Sequence, residues 1–194
     1  MDTFQARRAR EIIPSQTQHD VIIGSLLGDG YLVKTTRGYA LRCNHGIQQE
    51  SYLNWKYRVL KSLTNSSPQR YENSIYFRTV SHQLFAKLRT IFYRGNKKII
   101  SKLFQQWLTP RALAVWLMDD GSRDKNQIRI NTQSFSQKEN IMLAKILEAT
   151  FGIKATLNRD KHLFRLRISQ QSMPRLRQFV RKYFVPSMLY KLSP

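Results

Sequence analysis

VIIGSLLGDG, residues 21–30, and ALAVWLMDDG, residues 112–121, are two versions of one phrase: an apolar run that ends in Asp-Gly. Working outward from each, the flanking text also matches. LRCNHGIQQE (41–50) answers to IRINTQSFSQKE (128–139), each a basic alternating strand followed by a polar pair and a helix start. YFRTVSHQLFAKLRTIF (76–92) answers to RLRISQQSMPRLRQFV (165–180), and GNKKI (95–99) to LYKL (189–192). Asp120 lies 91 residues after Asp29, Gln133 88 after His45, Ser169 88 after Ser81, and Lys191 93 after Lys98. A nearly constant offset over four landmarks reads as an internal repeat.

Local chemistry gives each half the order helix, hairpin, helix, hairpin, helix. The first motif helix spans about residues 18–29. The second starts with Thr109 as N-cap and Pro110 at the first helical position. Both are expected to stop at Gly30 and Gly121 in a left-handed cap. Ser136-Gln-Lys-Glu139 forms a capping box, and Pro174 opens the last helix. Turns fall at TTRG (35–38), near 124–126, and at RDKH (159–162). In LFRLRIS, Arg165, Arg167 and Ser169 share one face and Phe164, Leu166 and Ile168 the other. Lys154, Thr156 and Asn158 oppose Ile153, Ala155 and Leu157, and Arg129 and Asn131 alternate with Ile128 and Ile130. Each sheet thus has an apolar face for helices and a basic face nearly free of carboxylates, suited to a nucleic-acid groove. Cys43, Trp55, Trp107 and Trp116 read as core.

The 33 Lys and Arg against 12 Asp and Glu leave a net charge of +21 on 194 residues. That calls for a polyanionic partner, nucleic acid first. A hydrophobic fraction of 41% excludes a disordered basic tail. One cysteine excludes an intrachain disulfide and a cysteine zinc cluster. No apolar run is long enough to span a membrane, and the N-terminus lacks the apolar stretch of a secretory signal. An intracellular setting follows as an expectation, a bacterial cytoplasm or an organelle.

Of the few acids, Asp29, Asp119 and Asp120 sit at the negative ends of the two most apolar helices, where each needs a compensating cation. Helices packed side by side would bring Asp29 and Asp120 together on a basic surface. Such a pair suits a hard divalent cation, which beside a phosphate activates water and stabilises the leaving oxygen. Gly24, Gly28 and Ala114 supply the small residues that let the helices approach. Asp119 breaks that pattern.

These strings resemble the LAGLIDADG homing endonucleases, in particular the two-motif, single-chain type encoded in introns. The resemblance covers about residues 18–194. It implies an α+β fold of two pseudo-symmetric αββαββα units, residues 18–105 and 106–194, whose antiparallel sheets form a saddle on DNA, with residues 1–17 as a basic N-terminal tail. It implies a monomer that needs no protein partner, binds a long double-stranded target and hydrolyses both strands to leave short 3′ overhangs. Mg²⁺ is the implied metal, with Mn²⁺ substituting and Ca²⁺ binding without supporting cleavage. The implied catalytic residues are Asp29, Asp120, Lys98, Lys191, Gln133 and His45, with Lys97 a rival to Lys98. The metal set is Asp29, Asp120, Gly28 and Asp119. The DNA contacts are Lys34, Arg42, Asn44, Arg78, Arg129, Asn131, Lys154, Asn158, Arg165 and Arg167. A non-cutting RNA maturase or a DNA-binding regulator on the same fold is the alternative.

Overall fold

A computed structural model describes residues 3–192. Helix α1 (Phe4–Glu11) precedes two runs of the same order. The first is α2 (Gln16–Leu27), β1 (Tyr31–Thr35), β2 (Gly38–Gly46), α3 (Glu50–Leu60), β3 (Gln69–Tyr71), β4 (Ser74–Arg78) and α4 (Gln83–Phe92). A two-stranded ribbon, β5 (Tyr93–Arg94) and β6 (Lys97–Lys98), leads to the second run. That run is α5 (Pro110–Asp120), β7 (Gly121–Asp124), β8 (Gln127–Ile130), α6 (Gln137–Phe151), β9 (Ala155–Asp160), β10 (Leu163–Ile168) and α7 (Met173–Val180). The antiparallel sheets have matching strand orders, β1-β2-β4-β3 and β7-β8-β10-β9. The fold is therefore α+β, with two αββαββα units.

The motif helices α2 and α5 pack on each other at the centre, and Val21–Leu27 and Ala112–Asp119 are buried all round. Helices apolar on every side belong in an interior. Close approach depends on missing side chains. A Cβ on Gly24 would lie 2.4 Å from the Ala112 carbonyl, and one on Gly28 2.4 Å from the Asp119 Cβ. Filling either gap would force the helices apart, at about 1–3 kcal/mol for an overpacked core.

Thr109 caps α5 with Pro110 in its first turn, and the Ser136–Glu139 box closes on α6. The start of α2 lies two residues earlier than expected, because Ser15 and Gln18 form a second capping box. The two motif glycines also depart from expectation. Neither Gly30 nor Gly121 is left-handed; Gly121 is extended, and α2 is capped at Gly28. Glycine is needed at both for space, since a Cβ would meet Ser25 at Gly30 and the Leu117 carbonyl, 2.4 Å away, at Gly121.

Within the stretch read as a tail, α1 is a docked helix. Thr3 caps it, accepting from the Ala6 N–H, and Ala6 and Ala9 are buried with Val80. The chain after it is fixed by His82, whose Nε2 donates to the Ile12 carbonyl at 2.9 Å while Nδ1 accepts from Leu84 N. Cys43 and Trp116 are fully buried, and Trp55 and Trp107 pack against the core. Among the described residues no helix is long and apolar enough to cross a membrane.

Candidate active site

The ends of α2 and α5 meet where each chain turns into its first strand. Asp29 and Asp120 both lie there, Asp29 the more exposed. Burial, and next the charge of Asp119, push the Asp29 carboxyl above its ordinary range. Asp120 is pushed up to about 8, by burial first and then by Asp119 and Asp29. Two carboxylates that resist ionisation beside each other form a place that a cation would relieve.

The compensating cations at the helix ends are lysines. Lys98 donates to the Gly28 carbonyl at 2.7 Å, and Lys191 to the carbonyls of Met118 at 2.5 Å and Asp119 at 3.1 Å. Gly28 and Asp119 each precede a motif aspartate, so the arrangement is the same in both halves. It also crosses between them. Among the acids, Asp120 acts most strongly on Lys98, while Asp119 and then Asp29 act most strongly on Lys191. Burial lowers the pKa of both lysines. Lys97, next to Lys98 on β6, is exposed instead.

Asp119 is buried and fully engaged. Its Oδ1 accepts from Tyr52 Oη and Lys56 Nζ, both at 2.7 Å. Its Oδ2 accepts from Lys56 Nζ at 2.8 Å and from the Asp29 main-chain N–H at 3.2 Å. Burial, the largest single influence, would raise this carboxyl, but the charge of Lys56, the neighbouring His45 and the hydrogen bonds from Lys56 and Tyr52 together outweigh it, and the pKa lies below the ordinary carboxylate range. Ligand atoms of Asp29, His45 and Asp119 all lie within 4.8 Å of one another. With each Asp119 side-chain oxygen already accepting two hydrogen bonds, what Asp119 could offer a cation is the second lone pair of its main-chain carbonyl, which already accepts one bond from Lys191.

His45 faces inward at the end of β2, its side chain 1% exposed, with Nδ1 3.5 Å from Asp29 Oδ2. Its Nε2 is 3.3 Å from Lys56 Nζ. An ammonium only donates, so Nε2 accepts and Nδ1 carries the proton toward Asp29. Burial first, and Lys56 next, drive the imidazole pKa down to about 4, so it is neutral. The matching Gln133 is not drawn into this cluster. It donates to Asp160 Oδ2 at 2.9 Å on the second sheet.

Lys56 and Tyr52 were not among the sequence candidates. Their signal was available: Tyr52, Leu53, Lys56 and Leu60 lie on one helical face, and a lysine in an apolar stripe asks for a buried acid.

The outer sheet faces carry most of the expected DNA contacts. Strand pairing lines up Tyr31, Arg42 and Arg78 across the first sheet and Ser122, Arg129, Arg167 and Thr156 across the second. Asn44, Asn131 and Lys154 are exposed, and the Arg42 guanidinium stacks 4.0 Å above the Tyr76 ring. Arg167 donates to Asn158 Oδ1 at 2.9 Å and to Gln127 Oε1 at 3.3 Å. Two expectations need correction. Lys34 alternates with Val33 and pairs with Tyr39, which places it with Leu32 on the helix side rather than with Arg42. The second sheet is also not free of carboxylates. Asp124 lies 2.5 Å from Arg129 Nη2, and Asp160 3.8 Å from Arg165 Nη1, both on the arginines' own face.

Comparison with known proteins fits this geometry. The LAGLIDADG DNA endonuclease family matches residues 19–176. The DNA endonuclease I-ChuI of Chlamydomonas applanata is 29% identical over 92% of this chain and 95% of its own length. The cytochrome b mRNA maturase bI2 of Saccharomyces cerevisiae is 32% identical over 89% of this chain, and the RecA protein of Mycolicibacterium flavescens 31% over 93%. The chain spans about half the length of these last two, 46% and 47%. Among solved structures, the homing endonuclease I-WcaI bound to its DNA recognition sequence superposes with a TM-score of 0.87 at 25% identity, covering 96% of this chain and 91% of that one. With two αββαββα units, paired motif aspartates and a family match over most of its length, this chain belongs to the LAGLIDADG DNA endonuclease family.

Proposed function

We propose that the chain is a site-specific endonuclease that binds a long duplex in the major groove and hydrolyses both strands, leaving short 3′ overhangs. The observation that carries this reading is the convergence of Asp29 and Asp120, each beside a lysine bound to the preceding carbonyl. Residues 18–105 and 106–194 each take one half-site, so one chain acts as a monomer. The polar faces of both sheets lie along the duplex, with Arg42, Asn44, Arg78, Arg129, Asn131, Lys154, Asn158, Arg165 and Arg167 as contacts.

The donor set fits a hard divalent cation: two carboxylates of raised pKa and the carbonyls of Gly28 and Asp119. Mg²⁺ held there would supply Lewis acidity and activation of water, with Mn²⁺ substituting and Ca²⁺ binding without cleavage. The protein's own groups do the positioning. His45 holds its Nδ1 3.5 Å from the Asp29 carboxylate, and Asp119 fixes the Asp29 backbone. Lys98 and Lys191 hold positive charge beside the reacting phosphates. Gln133, in the turn after β8 and oriented by Asp160, is the polar counterpart of His45 in the second half.

A supercoiled plasmid carrying the uninterrupted form of the locus that encodes this chain tests the reading. Mg²⁺ should give linear product and EDTA none. The Asp29→Asn, Asp120→Asn double variant should bind the plasmid and leave it uncut, since an amide is a poorer ligand than a carboxylate. Full cleavage by that variant would sink the assignment. A second reading, an RNA maturase, is supported by the resemblance to the yeast maturase. Wild-type protein that leaves the plasmid intact while binding the intron transcript would favour it.

A further inference from the structure

We propose that Lys56 and Tyr52 are positioning residues for cleavage, holding Asp29 in place through Asp119 and His45. The inference rests on the endonuclease reading above and deepens it. These side chains form a closed circuit behind Asp29. The Asp29 main-chain N–H donates to Asp119 Oδ2 at 3.2 Å. Lys56 Nζ donates to both Asp119 side-chain oxygens, at 2.7 and 2.8 Å, and lies 3.3 Å from His45 Nε2. His45 Nδ1 then returns to the Asp29 carboxylate at 3.5 Å. Tyr52 fills the circuit. Its Oη donates to Asp119 Oδ1 at 2.7 Å, its ring centre is 5.1 Å from that of His45, and the Lys56 ammonium sits 4.8 Å from the same ring. Tyr52 and Lys56 are both fully buried, so each acts through its partners and not by touching the DNA.

The second half shows that packing does not require this charge. Helix α6 takes the place of α3 there, and it buries Asn140, Leu143, Ile146, Leu147 and Phe151. None of these is ionised, and the Asn140 amide nitrogen donates to the carbonyls of Thr132, Phe135 and Ser136. A buried ion pair adds little to stability over well-packed apolar residues. What the first half gains from its pair is a route to a motif aspartate. Both partners of Lys56 lie directly against Asp29, Asp119 at the main chain and His45 at the carboxylate. The Asp29 side chain is itself 46% exposed, so its hold comes from the buried side. A reacting group misplaced by about 1 Å can lose about 10²-fold in rate, and it keeps its geometry only when the residues behind it are themselves locked.

The test uses the full chain with Mg²⁺ and an end-labelled duplex containing the cleaved sequence, so that the nicking rate of each strand is read separately at saturating protein. Two variants break the circuit in different ways. Tyr52→Phe removes only the hydroxyl. The Lys56→Met, Asp119→Leu double variant removes both charges together, so no buried charge is left unpaired and the net charge stays at +21. His45→Ala serves as the reference for the strand involved. Both circuit variants should slow the strand that His45→Ala slows, the double variant by about 10²-fold and Tyr52→Phe by less. Affinity for the duplex in Ca²⁺ should match wild type, and the double variant should melt close to it. Hydrogen exchange at the Asp29 amide, measured without DNA or metal, should be faster in the double variant. A double variant that melts and binds like wild type and cuts both strands at wild-type rates would overturn the proposal. Equal slowing of the two strands would also overturn it, since a general loss of structure favours neither. Tyr52→Phe keeps the ring and the ion pair, so its strand ratio decides the question if the double variant fails to fold. Wild type that cuts neither strand would count against the endonuclease reading itself.

Discussion

Replacing Lys56 by Met should be among the most damaging single changes in the molecule. The methionine keeps most of the aliphatic length and removes only the charge. Asp119, whose side chain is 0% exposed, then loses both ammonium contacts, at 2.7 and 2.8 Å, and keeps only Tyr52 and the Asp29 N–H. Breaking a buried pair from one side costs about 3–5 kcal/mol, because the remaining charge is left without compensation. At about 2–4 °C per kcal/mol for a chain of this size, the melting temperature should fall by roughly 6–20 °C. The Lys56→Met, Asp119→Leu double variant should recover much of that loss, since both charges go together. The acid limb gives a second check. The Asp119 pKa is depressed in the fold, so its stabilisation is present above the unfolded value of about 3.9 and fades as pH falls through the folded one. The stability gap between wild type and Lys56→Met should therefore narrow in acid. Circular-dichroism melts over a pH series measure all of this. A Lys56→Met protein within about 0.5 kcal/mol of wild type, or a double variant as unstable as the two single losses added, would refute the reasoning.

Lys98→Met and Lys191→Met should each let nicked plasmid accumulate, with the slow strand different in the two variants; nicks confined to the same strand would contradict the crossed arrangement. With Asp120 raised to about 8, metal binding must displace a proton below that pH, so the Mg²⁺ concentration for half-maximal cleavage should fall as pH rises toward 8 and then level off. A flat dependence between pH 6 and 9 would refute this titration, on the order of the range set by one shifted carboxyl. Asp124→Asn removes an acid from the arginine-bearing face of the second sheet and releases Arg129 from it. It should tighten binding to unrelated duplex while reducing discrimination at one base pair by about 1–3 kcal/mol, and weaker binding to all sequences would show that Asp124 does not orient a reading side chain.

What could be read from the chain was local. Thr109-Pro110 and Ser136–Glu139 announce helix starts because a cap needs residues only three apart. Alternation in LFRLRIS sorts side chains because a strand has a period of two. The same rule applied to YLVKT puts Lys34 on the helix side with Leu32, opposite to the face that a family-implied contact needs. Gly30 and Gly121 follow their helices, where a left-handed cap is common, yet it is the lack of space beside Ser25 and Leu117 that excludes a Cβ there. The carboxylates on the second sheet are hidden in the sequence for a related reason. Asp124 and Asp160 stand at hairpin turns, where acids are ordinary, and only strand register shows them aligned with Arg129 and Arg165.

The cluster around Asp119 was illegible for a deeper reason. A repeat is found by comparing each half with the other, and that comparison favours what the halves share. Gly28 and Asp119 occupy equivalent places, yet one has no side chain and the other a buried carboxylate. The difference is a single contact seen from two sides: Asp119 fits only because Gly28 leaves room, with 2.4 Å between its Cβ and where a Gly28 Cβ would stand. The charge that Asp119 brings into the interface is answered by Lys56 and Tyr52, which the first half alone supplies, 63 and 67 residues away along the chain. The same group grips the Asp29 N–H and, through Lys56, sets the tautomer of His45. The second half therefore holds the main chain of the first half's motif aspartate, Asp29, while Asp120 receives no equivalent hold from Gly28. A pseudo-twofold fold thus has an intrinsically asymmetric centre, and under the proposed endonuclease function the two strands of even a symmetric target should be cut at unequal rates.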